Sequence, residues 1–202
     1  ISALCLATSL GHHRIMQALL DAGVPVAQRQ GLLGLAARKG HAAAVQLLLA
    51  AGCPVTSNIL HESIQSDSEA VVRFIVQAGR QQLQPATLHA AGAAAIACGR
   101  SNAVRAMLDA GAIDATDPNF ALAAVTNSQA GILRQLVQAG ANAANPLLLE
   151  AAAMTGSVPV VQVLLDHMGG IPWGLSDAIR TAAQNGHRAV VDVLRSRVPA
   201  HQ

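Results

Sequence analysis

Runs of Leu and Val recur along this chain, and each stops at the same punctuation. Leu20-Asp-Ala-Gly-Val-Pro-Val26 is echoed by Leu49-Ala-Ala-Gly-Cys-Pro-Val55 and Val76-Gln-Ala-Gly79. Leu108-Asp-Ala-Gly-Ala112, Val137-Gln-Ala-Gly-Ala141 and the weaker Leu165-Asp-His-Met-Gly169 follow. The six glycines are 29, 27, 32, 29 and 29 residues apart. A Gly directly after an apolar run sits where a helix ends in a left-handed residue, so Ala-Gly reads as a helix stop with a physical cause.

A second marker stands twelve residues before each of the first five stops, at Gly11, Gly40, Asp67, Gly99 and Ser128, and continues at Gly156 and Gly186. Three of these precede a His (His12, His41 and His187), which reads as stabilising the turn. Four residues after the marker comes an aliphatic pair, as in Ile15-Met16, Val71-Val72, Ile132-Leu133, Val160-Val161 and Val190-Val191. Four residues before it every copy has a small residue: Ala7, Ala36, Ser63, Ala95, Ala124, Ala152 and Ala182. Each repeat therefore predicts a short helix, a turn at the marker, a second helix and a Gly-terminated loop. The expected architecture is all-α, with seven such repeats at approximately 1–27, 28–56, 57–84, 85–115, 116–144, 145–173 and 174–202. Ser66 or Ser68, Ser101 and Ser157 fall where the second helix needs an N-cap. Pro159 falls in a first turn, where its missing N–H is tolerated.

Composition explains how such helices can pack. Of 202 residues, 42 are Ala and only three are aromatic, so small side chains must let the helices approach closely. A charged fraction of 12% with 52% hydrophobic residues excludes a disordered chain. Net charge is +2, and no basic run is longer than Arg38-Lys39, which argues against nucleic acid. No apolar stretch approaches the roughly 18 residues of a membrane span. Cys5, Cys53 and Cys98 form no CxxC pair and read as buried thiols.

In the order small residue, Gly-His, aliphatic pair, Leu-Leu, Ala-Gly, the chain resembles the ankyrin repeat. Leu35-Ala-Ala-Arg-Lys-Gly-His-Ala-Ala-Ala-Val-Gln-Leu-Leu-Leu-Ala-Ala-Gly52 and Ala182-Ala-Gln-Asn-Gly-His-Arg-Ala-Val-Val-Asp-Val-Leu194 carry the likeness best. The resemblance implies an ankyrin-repeat solenoid that binds another protein, needs no cofactor and is monomeric by itself. The family's opening Thr-Pro-Leu-His survives only as Ile59-Leu-His61 and Thr87-Leu-His89. Repeats near 29 residues, against roughly 33 in the family, imply shortened inter-repeat hairpins. About four extra residues before Gly99 predict a longer first helix or a bulged turn in the fourth repeat, with Gly92 its weak point.

A solenoid's outer repeats need polar faces. Arg180, Gln184, Arg188, Asp192 and Arg195 supply one, whereas Ile1-Ser-Ala-Leu-Cys-Leu6 begins on apolar residues without a cap, so a further repeat or domain is expected upstream. Abundant Ala, Gly and Arg with one Lys and no Tyr suggest a GC-rich bacterial gene. By resemblance, such arrays occur in effectors delivered into host cells. One such family, the arginine ADP-riboxanases acting on host caspases, carries the array after its catalytic domain. That alternative makes the chain a substrate-recruiting region, cytoplasmic or secreted into host cytosol, although no diagnostic motif of the family is visible.

Catalytic patterns fail one by one. His61-Glu62 lacks the second His of a zinc protease, no P-loop occurs, and Gly31-Leu-Leu-Gly34 is too short for a dinucleotide fingerprint. His89 and Cys98 have no third group to orient them, so no catalytic residue and no metal ligand is nominated. Candidate partner-binding residues lie in the loops and on the exposed side of the first helices: Arg29, Asn58, His61, Glu62, Arg80, Asp114, Asp117, Asn119, Phe120 and Trp173. Phe120 could instead fill a core column. Trp173, the single Trp, is either a lid over the last groove between repeats or an interface anchor. Glu62, Asp67, Glu69, Asp109, Asp114 and Asp117 make the middle repeats acidic, which favours a basic partner segment there.

Overall fold

A computed structural model describes residues 3–23, 29–168 and 173–198, with the side chains of residues 29 and 30 also outside the description. Among the described residues there are fourteen α-helices and no strand. The first helices of the successive repeats are α1 (Ala3–Ser9), α3 (Arg29–Lys39), α5 (Ser57–Ser66), α7 (Pro85–Ala97), α9 (Pro118–Thr126), α11 (Pro146–Thr155) and α13 (Leu175–Gln184). The second helices are α2 (His13–Asp21), α4 (Ala42–Ala50), α6 (Glu69–Gly79), α8 (Ser101–Asp109), α10 (Ala130–Gln138), α12 (Val158–His167) and α14 (Arg188–Arg195). Backbone proximity divides the chain into two compact units, Ile1–Ile113 and Asp114–Gln202. In the first, α1, α3, α5 and α7 pack in sequence as one row and α2, α4, α6 and α8 as another. In the second, the rows are α9, α11, α13 and α10, α12, α14.

The marker column is left-handed in all seven copies, with φ of 73, 75, 50, 68, 57, 71 and 77° from Gly11 to Gly186. In five of the copies, at Gly11, Gly40, Gly99, Ser128 and Gly186, that conformation sends the chain back to form two backbone bonds. The next residue's N–H returns to the carbonyl of the small column, as in His12 to Ala7 (2.9 Å), Arg100 to Ala95 (2.8 Å) and Gln129 to Ala124 (2.8 Å). The N–H after that donates to the marker's own carbonyl, as in His13 to Gly11 (2.9 Å) and Ser101 to Gly99 (3.0 Å). The intervening residue has the dihedrals of an inverse γ-turn, φ −77° and ψ 73° at His12.

The serine caps expected from the sequence are not formed. Ser68 and Ser157 occupy N-cap positions without a side-chain cap bond, and Ser101 is the first helical residue behind Arg100. Ser66 instead relays one bond, accepting from the Ser68 N–H at 3.3 Å while its hydroxyl donates to the Ser63 carbonyl at 2.7 Å. Pro159 does fall in the first turn of α12.

Two of the three histidines after the marker add a bond between repeats. His41 Nε2 lies 3.1 Å from the Ser9 carbonyl and His187 Nε2 3.0 Å from that of Met154. Each ring thus joins its own turn to the end of the preceding first helix. The ring passes so close to the preceding marker that a Cβ on Gly156 would stand 2.5 Å from His187 Nδ1.

The small column is the seam of the core. Ala36, Ser63, Ala95, Ala124, Ala152 and Ala182 are 0% exposed and Ala7 4%. The aliphatic pairs beside it are buried too, except that Ile15 is exposed in the first repeat. Gly23, Gly52, Gly111 and Gly140 are the left-handed stops predicted. Gly79 is not one; α6 runs through it, and an added Cβ there would meet Leu83 Cδ1 at 2.7 Å and Val55 Cγ1 at 2.9 Å. Its Gly is required by close packing. Gly169 lies outside the described residues. The extra residues of the fourth repeat lengthen α7 to 13 residues, with Gly92 buried inside it.

Candidate functional site

The reactive groups are scattered. Among the described residues, no cluster of three or more His, Cys, Asp or Glu could hold a metal ion. Cys53 is buried as expected, but Cys5 is half-buried and Cys98 is exposed, because Cys98 follows α7 as its C-cap and leaves the packed face. His89 and Cys98 are nine residues apart along that helix, a rise of about 13 Å, which keeps the pair from meeting.

Several nominated residues hold the protein together. Phe120 is 1% exposed and fills the core of its repeat, so it presents nothing to a partner. Arg80 donates from its guanidinium to the Ala110 carbonyl and so closes the C-terminus of α8. Asp117 is the N-cap of α9, accepting from the Asn119 backbone N–H and side-chain amide, each at 2.9 Å. Asp114 accepts from the Thr116 hydroxyl at 2.7 Å and its N–H at 2.9 Å. These bonds, the hydroxyl's foremost, hold the Asp114 carboxyl below its ordinary range. The side chain of Arg29 lies outside the described residues.

The acidic band is likewise occupied from within. Glu69 pairs with Arg73 one turn along α6. Asp67, left-handed at the marker position, accepts from the Ala103 N–H at 3.0 Å and the Asn102 amide at 3.3 Å, capping α8 from the preceding repeat. In a column otherwise held by Gly or Ser, this side chain supplies a reason for Asp.

Glu62 is the exception. Its Oε2 is buried and accepts no hydrogen bond among the described residues, while Arg38 Nε stands 3.6 Å away, within ion-pair range but too far to donate. The carboxylate lines a slot of about 250 Å³ between α3 and α5, together with Gly31, Gly34, Thr56, Asn58 and Ile59. Asn58 and Glu62 are one turn apart on α5 and share a face. Opposite them, Gly31 and Gly34 are one turn apart on α3, and a Cβ on either would meet nothing within 4 Å. The slot exists because two side chains are missing from α3. Thr56 shapes its rim as the N-cap of α5. His61, on the same helix, is exposed and bonds Gln65 at 3.0 Å outside this lining. The signal for the two glycines was in the sequence, since each costs a helix about 1 kcal/mol relative to Ala and so needs a reason.

The second compact unit offers an apolar surface. Trp173 is 86% exposed and Leu147 67%. Their chain neighbours meet: Gly174, next to Trp173, packs against Pro146, next to Leu147, where an added Cβ would reach Pro146 Cβ at 3.0 Å. Both stand at the N-terminal ends of first helices, on the loop side.

No protein-family model matches the chain, and no curated protein matches it in sequence. Solved structures do. The ankyrin repeat domain of human ASB11 matches over 100% of both chains with a TM-score of 0.72 and 22% identity. The ankyrin repeat domain of Bcl-3, of the IκB protein family, matches 83% of this chain and 86% of its own with a TM-score of 0.63 and 24% identity. The fold is thereby the all-α ankyrin-repeat solenoid expected from the sequence. The comparisons lend no support to a bacterial effector of the arginine ADP-riboxanase type or to a caspase partner. Among the described residues no helix is long and apolar enough to cross a membrane.

Proposed function

We propose that the chain is a protein-recognition module that recruits a partner through its inter-repeat loops and the exposed sides of its first helices. The observation that carries this reading is the 86% exposure of Trp173, in a loop whose Gly174 packs against the Pro146 that precedes an exposed Leu147. A lid would have its indole against a groove, so this exposure supports the anchor reading. Leaving a large ring in water forgoes its hydrophobic stabilisation, whereas a partner pocket recovers it, and Trp is among the residues that dominate interface energetics.

The test is capture of protein from cytosol by the immobilised chain, followed by affinity measurement with the captured partner. Trp173→Ala is expected to weaken that affinity by about 2 kcal/mol, roughly thirtyfold, with the helical circular dichroism unchanged. Binding that is indifferent to both Trp173→Ala and Leu147→Ser refutes this surface.

A further inference from the structure

We infer that the slot between α3 and α5 receives an arginine side chain of the recruited partner, with Glu62 and Asn58 as its acceptors. This rests on the recruitment reading and adds the chemistry of one contact.

Size decides first. At about 250 Å³ the slot is below the roughly 300–1,000 Å³ of small-molecule sites, and it suits one long side chain. Its chemistry decides second. Glu62 is one-third exposed, but its Oε2 is buried and, with Arg38 only in ion-pair range, takes no hydrogen bond from a described residue, so an arriving group is favoured if it donates and is cationic. Glu62 and Asn58 place a carboxylate and an amide oxygen one helical turn apart on the same lining. A planar guanidinium can donate to both at once, whereas an ammonium presents a single compact charge. The bare α3 backbone at Gly31 and Gly34 leaves room for the aliphatic stem to lie over the glycines with Ile59 at the base.

Arg38 supports the assignment. It stands on α3 one turn beyond Gly34, and its guanidinium is drawn to the same oxygen yet stops at 3.6 Å with the side chain 55% exposed. It is an internal competitor, in ion-pair range of the carboxylate without donating to it. An incoming arginine displaces it towards water.

The experiment is an amide-resolved NMR titration of the whole chain with N-acetyl-arginine methylamide. Its lysine counterpart and its neutral citrulline isostere are run beside it. Saturable shifts are expected at Gly31, Gly34 and Ile59, with a Kd on the order of millimolar, weaker for lysine and absent for citrulline. Glu62→Gln should weaken the arginine probe about tenfold. Gly34→Met should fill the slot and abolish binding without unfolding, since a Cβ at that position meets nothing. Arg38→Gln should tighten binding a few-fold by removing the competitor and its like charge.

Equal shifts with citrulline, no effect of Glu62→Gln, or weakening by Arg38→Gln would each overturn the assignment. The probe reads the slot without a partner, so its failure leaves recruitment through Trp173 standing. A slot that saturates in a chain capturing no protein would remove recruitment and leave the arginine chemistry.

Discussion

Replacing Asp67 and Ser128 by Gly separates two effects that share one backbone position. Both residues stand in the marker column with positive φ, 50° and 57°. A left-handed conformation costs a non-Gly residue roughly 1–2 kcal/mol, offset on mutation by the roughly 0.5–1 kcal/mol of extra chain entropy that Gly loses on folding. Ser128→Gly should therefore stabilise by about 0.5–1 kcal/mol. Asp67→Gly gains no more than that, because Asp tolerates the conformation better than most residues. It also loses the 3.0 Å bond to the Ala103 N–H and the 3.3 Å bond to Asn102. A lost N-cap costs about 1 kcal/mol, and a carboxylate leaving a helix N-terminus about 0.3–1 kcal/mol more. The net is a destabilisation of about 1 kcal/mol, so the two variants should differ by roughly 1.5–2 kcal/mol with opposite signs. Urea unfolding followed by circular dichroism measures the energies. Amide exchange at Ala103 shows whether the cap itself was lost. If Asp67→Gly stabilised as much as Ser128→Gly and left that amide protected, the inter-repeat cap would have no energetic role.

Gly156→Ala should destabilise by about 2–4 kcal/mol, because its Cβ meets the His187 ring as well as the left-handed backbone. Adding His187→Ala should recover part of that loss, and strict additivity in the unfolding cycle would refute the clash. Gly31→Ala should raise stability by up to about 1 kcal/mol, since its Cβ enters open space. Gly79→Ala should lower stability despite its helical backbone, because Val55 is stiff and buried; thermal melts distinguish the signs. The Asp114 carboxyl should titrate below its ordinary 3.8 and move back up in Thr116→Val, as read by carbon NMR. Its folded-state pKa is the lower one, so its small contribution to stability is present above 3.8 and disappears as pH falls through the depressed value.

The sequence by itself determined the repeat. A left-handed residue after an apolar run, a small residue at a fixed distance before it and an aliphatic pair after it are local requirements of a helix-turn-helix. Local requirements are written as residue types at fixed spacing, so the seven turns and the buried seam were legible. The longer α7 was legible for the same reason, as an insertion between fixed columns. What the tertiary structure decided was the use of side chains across repeats. Asp67 caps a helix 36 residues on, His187 reaches a carbonyl 33 residues back, and Gly79 yields to Val55 and Leu83. Apart from Leu83, none of these partners is near in sequence. The surface followed the same division: Asp114, Asp117 and Arg80 looked free and are bonded, whereas two glycines that looked incidental open a slot before Glu62. Asp114 and Asp117 are held within their own loop by Thr116 and Asn119, two residues on. The availability of Arg80 and Glu62, by contrast, depends on what another repeat brings near them, and that is settled only when the helices stack.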